Sequence, residues 1–303
     1  MEKIYKDLSI VIVTYNSADC IAKCLTSIER VLKGVVEFEI IVVDNHSTDK
    51  SSEIISKVIT ILSIPIKLVR SNSNLGFSNG CNLGVTHATG RAILFLNPDT
   101  EIISWDNQSL NYFTSKTAGI VGLQVLNSDN SLQYTIGKFP NILRIIFDRI
   151  PLLRNHFGMV LRNDSIYRNT TEIDWVSGCA LLIDKRVFEQ LGGFDKHIFM
   201  YGEDMDLCYR AKKNGYKVIY DPCSTVRHYD EGNTSTSKRP NKYLRMRQGL
   251  LYFFFKNRQF VRYALFKMMV KIESACRILL LKIGYFKDNS QDWKKVLETL
   301  LGL

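Results

Sequence analysis

The sequence predicts an α/β fold, a mainly parallel central sheet with helices on both faces, followed by a C-terminal helical extension. Short β-branched runs alternate with amphipathic stretches through the first hundred residues. Leu8–Thr14 and Phe38–Val43 are short β-branched runs of the kind that strands covered on both faces carry. From Asn241 onward the strand signal is lost and helical spacing continues to the end.

Leu8–Thr14 (LSIVIVT) reads as the first strand. Asn16-Ser17 offers a cap for a helix whose Ile21, Leu25, Ile28 and Leu32 recur at helical spacing. Phe38–Val43 is a second strand, ending at Asp44. Ser47–Asp49 can cap a second helix, with Ile54, Ile55, Val58 and Ile59 on its apolar face. Ile66–Val69 is the third strand, Gly76–Ala88 a small-residue helix, and Ala92–Leu96 the fourth strand. Ligands of such sheets lie beyond the carboxyl ends of the strands. Three of the four ends carry polar groups: Thr14-Tyr15-Asn16, Asp44-Asn45 and Asn97-Pro98-Asp99.

After Thr100 the rhythm changes. Gly119–Leu126 and Asp174–Ile183 read as strands, separated by a poorly patterned stretch over Phe139–Thr171 that predicts a functional insertion or mobile flap. Glu203–Asn214 reads as a helix stopped by Gly215, followed by short strands at Tyr216–Tyr220 and Thr225–Tyr229. No internal repeat is present.

Charge is unevenly placed. The chain carries a net +10, yet residues 238–303 hold 15 Lys/Arg against 4 Asp/Glu, and residues 1–237 hold 25 against 26. A near-neutral body with a basic tail argues against nucleic acid as a partner. The seven scattered cysteines form no CxxC pair and read as free thiols of a reducing compartment. The start lacks a signal peptide's apolar segment, and no run of about 18 uncharged apolar residues suggests a membrane span.

The chemistry-bearing residues cluster at predicted strand and helix ends. Asp99, just past Leu94–Leu96, offers a hard oxygen ligand for Mg²⁺ or Mn²⁺ bridging phosphate oxygens, although Asn-Pro-Asp-Thr is also a common turn sequence. Asp44 stands too far upstream to cap the following helix and can accept a hydrogen bond from a pyrimidine N3–H. Glu203, Asp204 and Asp206 open a helix, where acids suit the macrodipole. Three so close repel one another, which points to Glu203 or Asp204 as a general base on an acceptor hydroxyl. Asp206 faces another side of that helix and supports the site, with Arg210 four residues on to pair with it. Trp175 and Gly192–Asp195 suit the acceptor side, though a core Trp and a tight glycine turn explain them equally well. His228 alone would be structural.

Taken in order, Ile10–Asn16 (IVIVTYN), Val42–Asp49 (VVDNHSTD), Asn74–Asn82 (NLGFSNGCN), Leu94–Asp99 (LFLNPD), Gly178–Lys185 (GCALLIDK), Gly192–Asp195 (GGFD) and Gly202–Arg210 (GEDMDLCYR) resemble the family-2 glycosyltransferases with a GT-A fold, especially their bacterial rhamnosyltransferase-like branch. The resemblance runs from Leu8 to about Tyr229. It implies a catalytic domain at residues 1–237, with a nucleotide-binding half to residue 100 and an acceptor half beyond, and a tail at 238–303. It further implies that Thr14, Tyr15 and Asn16 line the nucleotide pocket and that Asp44 contacts the base. Asn74, Gly76 and Asn79 would lie along the ribose and diphosphate, with Asn97 orienting groups nearby. Asp99 and His228 would hold the metal, Asp204 would be the catalytic base, and Gly178 would join Trp175 and Asp206 on the acceptor side. Asn97 stands where many relatives carry a first Asp, which weakens the grip on the metal.

The implied reaction is an inverting displacement that moves a hexosyl or deoxyhexosyl group, rhamnose favoured, from a dTDP- or UDP-sugar to a saccharide acceptor. A basic amphipathic tail suits an anionic membrane surface, which makes a polyprenyl-diphosphate-linked acceptor and a cytoplasmic, peripheral inner-membrane location the expectation. Packing on the catalytic body or a homodimer contact is the other use of such a tail. A Rossmann oxidoreductase or a nucleotidyltransferase would need glycines where Thr14–Ser17 has none. A catalytically silent sugar-nucleotide-binding subunit would lack the acids retained here.

Overall fold

The structure, a computed structural model, describes residues 7–114, 118–229, 239–282 and 290–302. The expected boundary between body and tail, at residues 237 and 238, lies outside the described residues. Strands β1 (Leu8–Thr14), β2 (Phe38–Asp44), β3 (Ile66–Arg70) and β4 (Ala92–Leu96) lie in the order β3-β2-β1-β4, all parallel. They are linked by α1 (Ile21–Leu32), α2 (Ser51–Ile61) and α3 (Gly76–Val85). Every residue of β1 and β4 is buried, because helices cover both faces.

Beyond β4 come β5 (Thr100–Ser104), α4 (Gln108–Thr114), β6 (Ile120–Leu126), β7 (Ile136–Gly137), α5 (Ile142–Phe147), α6 (Pro151–Phe157), β8 (Thr171–Glu172), β9 (Trp175–Val176), β10 (Ala180–Asp184), α7 (Lys185–Gln190), α8 (Glu203–Lys213) and β11 (Val218–His228). The sheet continues β4-β10-β6-β11-β5, with β10 antiparallel to both neighbours and β11 parallel to β6. The tail forms α9 (Arg239–Lys256), α10 (Phe260–Lys282) and α11 (Ser290–Gly302).

One core cluster joins α1 and α2 to the sheet, and a second joins α3, α7 and α8 to its other face. A third brings Leu251, Phe253, Phe254, Phe266, Val270 and Leu300 of the tail against Ile145 and Met205. The tail helices thus share buried apolar surface with the body.

Several sequence expectations need correction. Asn16 and Ser17 do not cap α1, which follows Cys20 with no side-chain cap. Asn16 instead accepts from Thr48 N–H at 2.8 Å. Asp49 precedes the cap position of α2 but does accept from Ser51 N–H, at 3.0 Å. The run 174–183 is broken, because Ser177 bonds Thr135 and the chain passes from the small β7–β9 sheet into the main one. Phe139–Thr171 is built of α5, α6, a 3-10 turn at Ile166–Arg168 and the start of β8 rather than an unstructured loop. The two strands expected at 216–229 are one strand with an irregularity between Asp221 and Thr225. β5, α4 and β7 lack a readable local pattern and were not expected.

Candidate active site

The loops after β1 and β2 are fastened to each other. The backbone N–H groups of Asn16, Ser17 and Ala18 donate to Ser47 Oγ, Ser51 Oγ and Asp49 Oδ2 at 3.1, 2.8 and 3.1 Å. Asn16 adopts φ 53°, a left-handed conformation that Asn tolerates. Tyr15 is left exposed, and Thr14 is buried with no partner for its hydroxyl among the described residues. Asp44 is buried at the end of β2, where Oδ1 accepts from Ser47 N–H at 3.0 Å.

Asn45, which the sequence did not single out as a site residue, is the joint between β2 and α3. Its amide nitrogen donates to Gly76 O at 3.0 Å and to Asn74 Oδ1 at 3.2 Å, and its carbonyl accepts from Leu75 N–H at 2.9 Å. Asn74 Oδ1 also accepts from Gly76 N–H. Gly76 sits at φ +78° with the Phe199 backbone against its Cα, so any Cβ there would collide. Asn79 donates to Leu75 O and to Lys196 O, at 3.3 and 3.2 Å.

A connected path then joins the remaining residues. Phe77 N–H donates to Phe199 O at 2.8 Å, and Gly178 lies between the Phe77 ring and Asp204. Gly178 N–H donates to Asp204 Oδ2 at 3.0 Å, while the next residue, Cys179, accepts from Asn97 N–H at 3.0 Å. Two adjacent residues therefore bridge the Asn97–Asp99 turn and the start of α8. This path links the turn bearing Asp99 to Asp204, while Asp44 stands at the end of β2, one residue before the Asn45 joint.

Asp99 Oδ1 stands 3.2 Å from His228 Nε2, and the Asn97 amide nitrogen is 3.3 Å from the same ring atom. His228 Nδ1 meets Gln133 Oε1 at 2.9 Å, and Gln133 donates its amide N–H to Asn127 Oδ1 at 3.0 Å. With Gln133 at Nδ1, the Nε2 atom faces both the Asn97 amide and the Asp99 carboxylate, which sets an imidazole nitrogen beside a carboxylate oxygen as divalent cations take them. The donor set fits a divalent ion. Among the described residues no third His, Cys, Asp or Glu joins the pair, so the remaining ligands would be diphosphate oxygens and water, as hard cations favour.

Glu203 and Asp204 differ sharply. Glu203 is 6% exposed, and its Oε2 has no partner among the described residues. Burial first, then the Asp204 charge, push its carboxyl up to about 8. That shift favours the protonated form and suits the group poorly to take a proton. Asp204 is half-buried and accepts from Gly178 and Met205 N–H groups. Burial raises its pKa against those two bonds, towards the range a general base needs.

Two acceptor-side expectations change. Asp206 is 1% exposed and held by Arg210 at 2.8 Å, the pairing its spacing suggested, and by Lys256 at 2.7 Å, which nothing local announced. It braces α8 rather than meeting an acceptor. Trp175 is half-buried against Gly137 and donates its indole N–H to Lys138 O at 3.0 Å, so packing occupies its ring.

Comparison with known proteins gives the class of protein to which this sheet belongs, a glycosyltransferase. The family description "Glycosyl transferase family 2" matches residues 9–191, and "N-terminal domain of galactosyltransferase" matches residues 162–232. The chain belongs to glycosyl transferase family 2. It is 25% identical over 273 residues to an N-acetylglucosaminyl-diphospho-decaprenol L-rhamnosyltransferase of Mycobacterium tuberculosis, covering 83% of this chain and 84% of that protein. It is 29% identical over 231 residues to the rhamnosyltransferase WbbL of Escherichia coli, covering 73% and 82%. These relatives place it in the rhamnosyltransferase-like branch. Among solved structures, GalNAc-T7 with UDP, GalNAc and Mn²⁺ superposes with a TM-score of 0.59 at 17% identity, over 84% of this chain and 50% of that one. Staphylococcus aureus TarS superposes at 0.54 and 16% identity, over 81% of this chain and 39% of that one. These likenesses establish the GT-A fold.

Proposed function

We propose that the protein transfers a deoxyhexosyl group, rhamnose in the first instance, from a dTDP- or UDP-sugar to a saccharide carried on a polyprenyl diphosphate, with inversion at the anomeric carbon. The observation that carries this reading is the bridge Asn97–Cys179–Gly178–Asp204, which joins the strand end bearing Asp99 to the base on α8. Asp44 recognises the base, the Asn74–Asn79 segment lies along the ribose and diphosphate, and Asp204 accepts the proton as the acceptor oxygen attacks. Asp99 and His228 would hold the Mg²⁺ or Mn²⁺, and a divalent cation bound there would supply positive charge to the departing diphosphate. The Asn97 amide and Gln133 fix the ring of His228 for that purpose. The sugar choice and the lipid-linked acceptor rest on the relatives' names. Incubating the protein with Mn²⁺, a lipid-diphosphate-linked N-acetylglucosamine and a panel of nucleotide sugars tests it. Transfer from dTDP-rhamnose alone or in preference supports the reading, and no transfer from any donor sinks it.

The same reading places the protein at the cytoplasmic face of the inner membrane. No described helix is long and apolar enough to cross a bilayer. On α10, however, Val261, Leu265, Met268, Ile272 and Leu279 are exposed, and their spacing of three, four and seven lays them along one outward stripe. Glu273, the one acid of that helix, is paired with Arg149, Arg247 and Arg277. A greasy stripe beside unopposed cations suits an anionic lipid surface. Sedimentation with anionic vesicles is expected to be lost in the double variant L265E/M268E.

A further inference from the structure

Asp204 is only as well placed as the loop that delivers it. Residues 195–202 carry no regular structure and reach α8 through Tyr201 at φ 71° and Gly202 at φ 107°. The same loop touches the nucleotide side of the cleft, through Phe199 O to Phe77 N–H and Lys196 O to Asn79. The loop has no helix or strand of its own to fix it.

The restraint comes from α9. Gly249 packs on the backbone of Tyr201 and Gly202, leaving no room for a Cβ. The Arg245 guanidinium lies over the Phe199 ring, 4.1 Å from its centre. Tyr252 donates to Asp195 Oδ2 at 3.0 Å. At the end of α9, Lys256 reaches Asp195 Oδ2 at 2.6 Å and Asp206 Oδ1 at 2.7 Å. Asp195 starts the loop and Asp206 lies in the first turn of α8, so one ammonium ties together the two ends of the segment holding Asp204. Arg210 completes the joint by pairing with Asp206 and donating to Leu191 O and Gly193 O, each at 2.8 Å. Burial works against a charged Asp195, but Lys256, the His197 N–H and Tyr252 hold its carboxyl well below the usual range. The clamp is ionic at neutral pH.

We infer that Lys256 is a positioning residue for the reaction, and that α9 is a working part of the active site rather than an appendage to it. The clamp acts on the geometry of the base relative to the donor, so its loss lowers turnover more than donor binding. The assignment of Asp204 as base rests on the proposed function above, whereas the clamp itself is read from backbone motion.

Two measurements on the full chain test this. Hydrogen exchange of Lys256→Met is expected to speed up across residues 196–206 while β1, β2 and β4 keep their protection. In steady-state assays, kcat is expected to fall on the order of 10²-fold with the donor KM near the wild-type value. Lys256→Arg, which keeps a cation within reach of both acids, is expected to recover much of both properties. Tyr252→Phe, which removes only one hydrogen bond to Asp195, should show a smaller change in the same segment. Unchanged exchange at 196–206, or acceleration spread evenly over the chain, would overturn the inference. So would a fall in kcat matched by an equal rise in donor KM. A wild-type chain that transfers no sugar would count against the proposed function alone, because the exchange result still decides the clamp.

Discussion

Residues 8–99 and residues 175–256 position their acids by different routes. In the first region Asp44 ends a buried parallel strand and Asp99 follows one by three residues, so local chain geometry aims them. In the second, Asp204 follows an irregular loop with two left-handed residues and is held by Gly178 from one side and by α9 from the other. Short-range order places Asp44 and Asp99, and long-range contacts place Asp204. The donor side should therefore tolerate changes in the tail, while the position of the base should not.

The largest effect tests the chemistry at the meeting point. Asp204→Asn is expected to lower kcat by about 10²–10⁴-fold, with calorimetric binding of the nucleotide sugar nearly unchanged. Undiminished turnover would remove Asp204 from the base role and leave the contrast between regions without its second member. Next comes the relay behind His228. Gln133→Leu should weaken the metal ion by about 10–100-fold, seen as a rightward shift in the Mn²⁺ titration of activity. An unshifted titration would mean that the ring needs no such support.

Glycine substitutions compare the two regions by stability. Gly76→Ala places a side chain at φ +78° against the Phe199 backbone and should cost more than about 1–3 kcal/mol, the usual strain of that conformation. Gly215→Ala, at φ +82° in open space, should cost only that strain. Equal melting temperatures for the two variants would show that the Phe199 contact yields easily. The smallest effect concerns the tail. Burial opposes a charged Glu273, but Arg149 and Arg247 prevail and hold it at about 2, below its ordinary 4.5. A depressed carboxylate stabilises the fold fully above its unfolded value and loses that contribution as pH falls through its folded one. The urea-midpoint gap between wild type and Glu273→Gln should thus be widest above about pH 5 and close towards pH 2. A gap independent of pH would assign the effect to packing instead.

The contrast also explains what could be read from the sequence. β1 and β4 were legible to the residue because short, largely apolar runs bounded by polar and turn residues suit strands covered on both faces. The polar residues at their ends followed from the rule that ligands gather there. β5 was not legible, since TEIIS mixes polar and apolar residues with no continuous apolar run, and β7 has only two residues. The split at Ser177 was hidden because residues on both sides favour strands, and only the partner strands differ. Asn45 sat unmarked beside Asp44, and Gln133 lay in a stretch with no motif. Lys256 looked like one more cation of a basic tail, and its two partners are 50 and 61 positions away.

One reversed strand gives the cleft a property that a wholly parallel sheet would lack. Parallel strands all leave towards the ligand side and present their last carbonyls there, which makes that rim rich in hydrogen-bond acceptors. β10 runs the other way, so its beginning meets its neighbours' exits, and with it comes the Gly178 N–H aimed at Asp204. A neutral dipole thereby steadies a carboxylate where a lysine or arginine would have quenched its basicity.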